Sequence, residues 1–174
     1  FPYIYSSATQ ASCSGMDDAN NQAYDNFIND LTKDLMPHIE KTYSVKTGKE
    51  NTAITGFSMG GRESLAIGIL RPDLFAYVGA IAPAPGLVHA KDWAMEHPGQ
   101  FKEEDIKFAD DVTAPKILLL CGDKDSVVGK FPESYHQLFE EKGIKHDWYV
   151  VTASDHGDPA ISSGLYNFCA RIIW

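Results

Sequence analysis

Apolar and polar positions alternate along this chain in two different periods. A stripe with a period near 3.6 residues predicts one long helix over 23–43, kinked late by Pro37. Further helices are predicted over 59–70, from about 132 to 142, and over 161–173. Short apolar or β-branched runs predict five strands, over 1–7, 52–57, 75–82, 116–121 and 148–152. Strands therefore alternate with helices along the sequence.

This alternation is typical of a mostly parallel sheet with helices on both faces. The run KILLLC over 116–121 is apolar without a break, as expected for a strand buried on both sides. The stretch 12–21, rich in Gly, Ser and Asn, is predicted to be a loop, and 83–114 to be irregular. We expect a single α/β domain over residues 1–174.

Composition narrows the classes of function. The chain has 174 residues, 44% hydrophobic, and a net charge of −9. A nucleic-acid groove or an anionic membrane surface needs clustered Lys and Arg, so neither partner is expected. No apolar run approaches the roughly 20 residues that span a bilayer, and no signal peptide is visible.

The three cysteines do not have metal-site spacing. Cys121 ends an apolar run and is predicted to be a small buried hydrophobe. Whether Cys13 and Cys169 pair is left open by the sequence.

The segment Gly56-Phe57-Ser58-Met59-Gly60 matches Gly-x-Ser-x-Gly. It lies between a predicted strand and a predicted apolar helix, which is the context of a nucleophile elbow. Small residues on either side of the serine let strand and helix approach, and the Met59 N–H faces a developing oxyanion. The alternative is a turn that binds phosphate or nothing, but the glycine and lysine spacing of a phosphate loop is absent. Ser58 is therefore the candidate nucleophile.

A serine nucleophile needs a base and an acid, which follow it in that fold in the order Ser, acid, His. Asp123 and Asp125 both come after the buried strand. Asp125 is preferred as the acid, because Asp123 is expected to cap the turn. His156 follows the last strand in a short loop and is the candidate base; Asp155 and Asp158 are expected to be helix-start residues. Other histidines lie before the serine, in irregular sequence, within a helix or ahead of a strand: His38, His89, His97, His136 and His146.

With these residues identified, the sequence resembles carbohydrate esterase family 1, which holds feruloyl and acetyl xylan esterases. The matching strings are NTAITGFSMGG (51–61), DLFAYVG (73–79), APAP (82–85), CGDKDS (121–126), DH (155–156), GLYNF (164–168) and PHIEKTYSV (37–45). The resemblance implies an α/β-hydrolase fold that lacks its first strands, with Ser58, Asp125 and His156 as catalytic triad. It also implies Met59 as an oxyanion-hole donor, and a second donor on an early loop that this chain lacks.

The resemblance further implies a secreted esterase that removes feruloyl or acetyl groups from xylo-oligosaccharides, without metal or cofactor. Trp93 and its aromatic neighbours in 83–114 either bind a flat acyl group or hold their loop on the domain; feruloyl is favoured over acetyl. Two alternatives stay open. One is another serine carboxylesterase, such as a thioesterase like S-formylglutathione hydrolase. The other is a remnant that has lost catalysis with its oxyanion hole.

Overall fold

The computed structural model describes residues 2–15 and 17–173. Its strands are β1 (Ala53–Phe57), β2 (Tyr77–Ile81), β3 (Ala90–Lys91), β4 (Glu96–His97), β5 (Lys116–Gly122) and β6 (Asp147–Val151). Four of them form a parallel sheet in the order β1-β2-β5-β6. These are four of the five predicted strands, and the parallel arrangement is confirmed.

Helices connect and cover these strands. They are α1 (Asp18–Asp25), α2 (Phe27–Asp30), α3 (Met36–Thr42), α4 (Met59–Leu70), α5 (Phe131–Glu141) and α6 (Ala160–Asn167). Two π-helical segments cover Leu31–Leu35 and Phe168–Ile173, and two 3₁₀ turns cover Lys49–Asn51 and Glu103–Asp105. The helix predicted over 59–70 has the predicted bounds.

The sheet is covered on both faces, as the apolar run in β5 predicts. Ile117 and Leu119 pack into a core shared with buried residues of α4 and α5. Their neighbours Leu118 and Leu120 point the other way and pack with α6 and the π-helical end of the chain. All four are at most 3% exposed. Burying such side chains contributes about 1.5–3 kcal/mol each, so β5 anchors the sheet.

The predicted first strand is wrong for the residues that the structure describes; Phe1 lies outside them. Residues 2–7 form no strand and instead run along the first helices. The Ser6 N–H donates to the Ala23 carbonyl at 2.9 Å, and the Tyr5 hydroxyl donates to Asn20 Oδ1 at 2.8 Å. Alternating aromatic residues suit any extended segment with one buried side, so the pattern could not distinguish a strand from this arrangement.

The loop predicted over 12–21 ends earlier than expected, and Met16 lies outside the described residues. Asp17 caps α1: its Oδ1 accepts from the Asn20 N–H at 2.8 Å. An Asp at this position satisfies a first-turn donor, which is why the helix starts at Asp18.

The long helix predicted over 23–43 is interrupted. Before Pro37 the backbone widens into the π-helical turn, in which the Met36 N–H donates to the Leu31 carbonyl. Proline cannot donate an i→i−4 bond, and its ring collides with the carbonyl four residues back. A π turn ahead of the proline relieves that conflict within a continuing helical segment.

The segment 83–114, predicted to be irregular, contains the antiparallel pair β3–β4. Ala90 faces His97 in its register, and a single bridge joins Val88 to Phe101. His97 is buried, with Nε2 3.0 Å from Asp92 Oδ2. Two-residue strands leave too short an alternation to be recognised from sequence.

Two further expectations concern membranes and cysteines. None of the helices formed by the described residues has the length and apolar character needed to cross a bilayer.

Cys13, Cys121 and Cys169 are all free thiols. Cys121 is buried as predicted, and burial raises the pKa of its thiol to about 11.

Candidate active site

Ser58 occupies a sharp turn between β1 and α4. Its φ of 57° lies in the left-handed region, which is rare for any residue but glycine. The Ser58 N–H donates to the carbonyl of Ile81 on the next strand at 3.0 Å, and its own carbonyl accepts from the Ala84 N–H at 3.0 Å. The flanking sheet therefore holds the strained residue in place, as in a nucleophile elbow.

The glycines around Ser58 are not equivalent. A Cβ on Gly56 would lie 2.3 Å from the backbone carbonyl group of Gly60, and a Cβ on Gly61 would lie 3.0 Å from the Ile81 oxygen. A Cβ on Gly60 would meet only Ile4, at 3.8 Å. The close approach of strand and helix thus needs glycine at 56 and 61, whereas the motif's second glycine is not itself crowded.

The three residues selected from the sequence lie together beyond the carboxyl ends of β1, β5 and β6. His156 Nε2 is 3.0 Å from Ser58 Oγ, and His156 Nδ1 is 2.8 Å from Asp125 Oδ2. A carboxylate can only accept here, so Nδ1 carries the proton and Nε2 is left to accept from the serine hydroxyl. The arrangement can transfer a proton from serine to histidine.

Asp125 is held by its own turn. Its Oδ1 accepts from the N–H groups of Val127 and Val128, at 3.1 and 2.9 Å, while Oδ2 faces His156. Its side chain is only 1% exposed. Both carboxylate oxygens thus accept hydrogen bonds, and the group orients the imidazole from a site that water barely reaches.

Asp123 faces another loop. Its Oδ1 accepts from the Ser154 N–H at 3.2 Å, which links the end of β5 to the segment after β6. The expectation that Asp123 caps its own turn is therefore wrong in detail, although its role is structural. Between the two candidate acids, the structure brings Asp125, and not Asp123, to His156.

Asp155 is not a helix-start residue. Its Oδ1 accepts from the Ser126 N–H, the Ser126 hydroxyl and the His156 N–H, each at 2.8 Å. The Ser126 amide is the main cause that lowers the pKa of Asp155 below its ordinary value. For Asp158 the expectation is confirmed, because its Oδ1 accepts from the Ser162 N–H in the first turn of α6 at 3.1 Å.

Met59 is the first residue of α4, so its N–H has no intrahelical acceptor. The amide is thereby available as a donor next to Ser58. The ring of Phe57, the residue before the serine, packs against the His156 imidazole with centroids 4.4 Å apart. Neither this contact nor the link made by Asp155 was predicted, because Phe57 fills a variable position of the Gly-x-Ser-x-Gly motif and Asp155 was expected to start a helix.

A cavity of about 730 Å³ opens beside Ser58 and follows β1 along the side that faces away from β2. Its walls are mostly apolar and include Tyr3, Tyr24, Phe27, Leu31, Ile54 and Phe75. Trp93, the residue predicted to bind an acyl group, does not line this cavity and is 83% exposed. The structure therefore does not bring Trp93 to Ser58 in the way that it brings His156.

Behind the serine, α4 carries a buried charged network. Arg62, 1% exposed, pairs with Glu63 Oε1 at 2.8 Å and with Asp25 Oδ1 at 2.6 Å. Gln100 donates to both carboxylates. Burial raises the pKa of Glu63 and of Asp25, because it disfavours the charged carboxylates by more than the attraction of Arg62 favours them. The charged pair Arg62-Glu63 within an otherwise apolar helix was a signal for this network in the sequence.

Comparison with known proteins places this geometry in a family. The Esterase family model matches residues 4–156. The chain belongs to this esterase family. The chain is 31% identical over 129 residues to an endo-1,4-beta-xylanase/feruloyl esterase of Xylanibacter ruminicola, a match over 72% of this chain and 15% of that protein.

Solved structures agree with the expected resemblance to carbohydrate esterase family 1. A CE1 ferulic acid esterase of Anaeromyces mucronatus, in complex with ferulic acid, is 41% identical with a TM-score of 0.93 over 99% of the present chain and 63% of that enzyme's chain. The same enzyme without substrate is 42% identical with a TM-score of 0.87, over 94% and 59%. A fluorophosphonate-binding serine hydrolase of Staphylococcus aureus, 15% identical, shares the fold at a TM-score of 0.65 over 87% and 64%.

These matches confirm the predicted α/β-hydrolase fold and the family. They also show that the present chain spans at most 63% of the ferulic acid esterase chains that it resembles. Its resemblance to them extends over nearly its whole length.

Proposed function

We propose that this chain is the catalytic part of a serine esterase that hydrolyses feruloyl esters on plant cell-wall xylan, with acetyl esters as the less favoured substrate. The observation that carries the proposal is the pair of hydrogen bonds that joins Ser58 to His156, at 3.0 Å, and His156 to Asp125, at 2.8 Å. This arrangement activates a serine hydroxyl that is otherwise a poor nucleophile at neutral pH.

In the first half of the reaction, Ser58 Oγ attacks the ester carbonyl carbon while His156 Nε2 takes the hydroxyl proton. The carbonyl π electrons move to oxygen, and the Met59 N–H donates to that developing oxyanion. When the tetrahedral intermediate collapses, the bond to the sugar oxygen breaks and His156 gives its proton to that oxygen. The sugar leaves, and the acyl group stays on Ser58.

In the second half, a water attacks the acyl carbon and gives its proton to His156 Nε2. The new intermediate expels Ser58 Oγ, which recovers the proton, and the carboxylic acid leaves. Throughout, Asp125 accepts from His156 Nδ1, keeps the imidazole in the required tautomer and stabilises the imidazolium. No step of this reaction requires a metal or an organic cofactor.

The preference for a feruloyl over an acetyl group is based on the names of related proteins. One related structure is a ferulic acid esterase with ferulic acid bound, and a curated relative combines xylanase and feruloyl esterase in its name. The same proposal includes that the enzyme is secreted and that it acts on feruloylated xylo-oligosaccharides. A contact between Trp93 and the feruloyl ring also stays a prediction, since the exposed indole would have to meet the substrate outside the cavity.

The test is hydrolysis of methyl ferulate and 4-nitrophenyl acetate by this chain and by its Ser58→Ala variant. Turnover that the substitution reduces by about 10³-fold or more supports Ser58 as nucleophile. Ser134→Ala is the matched control, because this exposed serine of α5 bonds only to its own helix and should leave the rate unchanged.

A fluorophosphonate probe separates the remaining outcomes. Labelling of Ser58 without ester turnover would mean that the nucleophile is activated but the oxyanion site is incomplete. A folded chain that neither labels nor turns over ester would contradict the proposal and favour the non-catalytic remnant. Preference for a glutathione thioester over both esters would favour the thioesterase alternative.

A further inference from the structure

Two histidines and a glutamate converge at the end of the molecule away from the candidate triad. His136 and Glu140 lie one turn apart on α5, and His146 lies in the turn before β6. His136 Nδ1 is 2.8 Å from His146 Nε2, and His146 Nε2 is 4.0 Å from Glu140 Oε1. One ligand-type atom of each residue lies within 4.8 Å of the other two.

The two imidazoles are already oriented. His146 Nδ1 is 2.8 Å from the Ile144 carbonyl oxygen, which can only accept, so Nδ1 carries the proton and Nε2 keeps its lone pair. The His146 side chain is fully buried, and its ring meets Phe139 edge to face at 5.5 Å. His136 stacks on Trp148, with ring centroids 5.0 Å apart and planes 7° from parallel. A backbone carbonyl that fixes the tautomer is the usual support of a metal-binding histidine.

We propose that His136 Nδ1, His146 Nε2 and the Glu140 carboxylate bind a divalent transition-metal ion of the zinc class. Two imidazole nitrogens and one carboxylate oxygen suit Zn²⁺, whereas Mg²⁺ and Ca²⁺ need mainly oxygen ligands. No metal was expected from the sequence, because the family resemblance implies none and the cysteines lack metal-site spacing; His136 and Glu140 lie at His-x-x-x-Glu spacing on one face of a helix.

The geometry needs only small adjustments. Ligands about 2.0–2.1 Å from a tetrahedral ion are about 3.4 Å from one another. The histidine nitrogens therefore separate by about half an ångström. The 67%-exposed Glu140 side chain moves inward by about half an ångström toward His146 and by no more than about 1.4 Å toward His136. When both rings are neutral, the hydrogen bond between them is donated by His136 Nδ1 to His146 Nε2. On metal binding, His136 Nδ1 loses its proton and His136 Nε2 takes one up. The ring therefore changes tautomer, and no net proton is released.

The position of the site indicates a structural ion. His146 precedes the amino end of β6, and the candidate base follows the carboxyl end of the same strand, about 17 Å away for five residues. An ion here ties α5, which follows the Asp125 turn, to β6, which leads to the His156 loop. It should raise the stability of the fold and leave ester hydrolysis largely unchanged, so its test is independent of the proposed function.

The test is calorimetric titration of the tag-free, thiol-alkylated chain with Zn²⁺ at pH 7.5. Wild type should bind one ion with a dissociation constant in the micromolar range or below, and Mg²⁺ should not bind. His136→Gln and Glu140→Gln should each weaken Zn²⁺ binding at least tenfold. His89→Gln is the matched control, because it makes the same change at an exposed histidine outside the cluster, 2.9 Å from Glu96. Far-UV circular dichroism in EDTA shows whether each variant is folded.

Two further readouts make the outcome decisive. Saturating Zn²⁺ should raise the melting temperature of wild type and His89→Gln but not of His136→Gln. Long-range ¹⁵N NMR should show the His136 proton on Nδ1 without zinc and on Nε2 with it. Absence of Zn²⁺ binding by wild type, or equal binding by wild type and His136→Gln, would overturn the proposal.

Discussion

Ser126 donates two hydrogen bonds to one carboxylate oxygen of Asp155, from its N–H and from its hydroxyl, each at 2.8 Å. The same oxygen accepts from the N–H of His156. Ser126 follows the candidate acid and Asp155 precedes the candidate base. One exposed carboxylate thus joins the two loops that have to hold the acid and the base in register.

The first prediction concerns this link. Asp155→Ala should lower kcat for methyl ferulate about ten- to a hundredfold with little change in KM, because misplacing His156 by a fraction of an ångström weakens its bond to Ser58. Asp155→Asn keeps an oxygen that accepts the same bonds and should restore most of the rate. Steady-state kinetics decides: a rate as low in the asparagine variant as in the alanine variant would mean that charge, not position, matters.

The second prediction separates the two aspartates after β5. Asp125→Asn should lower kcat about 10³–10⁴-fold, because the amide N–H₂ would donate to His156 Nδ1 and leave its proton on Nε2. Asp123→Asn keeps the oxygen that accepts from Ser154 and should change kcat by no more than about threefold. Comparable losses in both variants, measured at pH 7 on folded protein, would rule out the assignment of Asp125 as the acid.

The third prediction compares two glycines of one motif. Gly56→Ala puts a methyl group 2.3 Å from the Gly60 backbone and should lower the free energy of unfolding by about 3 kcal/mol. Gly60→Ala meets only Ile4 at 3.8 Å and should change stability by less than about 1 kcal/mol. Urea denaturation of both variants tests this. A loss of less than about 1 kcal/mol in both variants would show that the turn does not need glycine at position 56.

The fourth prediction concerns pH and the buried network on α4. Burial raises the pKa of Glu63 in the folded protein above its value in the unfolded chain. The resulting contribution to the free energy of unfolding is fully present below the unfolded-chain pKa, and it is lost as pH rises through the folded-state pKa. Glu63→Gln removes this loss, and it should be more stable than wild type at pH 8 but not at pH 4.

Thermal unfolding between pH 4 and pH 8 measures that difference, with Glu141→Gln on the exposed end of α5 as a control that should show no trend. If Glu63→Gln were less stable than wild type at pH 8, attraction between the charged carboxylate and Arg62 would outweigh the cost of desolvation.

Much of the fold was predictable because its signals are local. The unbroken apolar run of β5, the Gly-x-Ser-x-Gly turn and the helix after it each depend on neighbouring residues, and all three stand where the sequence puts them. The extended segment 2–7 was mispredicted because period-2 alternation indicates a buried side without saying what covers it. The π-helical turn before Pro37 was not predicted, because a proline indicates that the helix is interrupted but not which backbone conformation the interruption takes.

For the candidate site, the Gly-x-Ser-x-Gly turn selected Ser58, and chain order with strand ends selected His156, since parallel strands deliver the residues after them to one edge of the sheet. The same argument left Asp125 and Asp123 as candidate acids, with Asp125 preferred from turn chemistry. Tertiary structure decided what pattern cannot: that Asp125 rather than Asp123 meets the imidazole, and that Asp155 links the loops. It also decided that His136 and His146 meet across a turn. A hydrogen bond depends on where two side chains end in space, and residues distant in sequence acquire that relation only when the chain is folded.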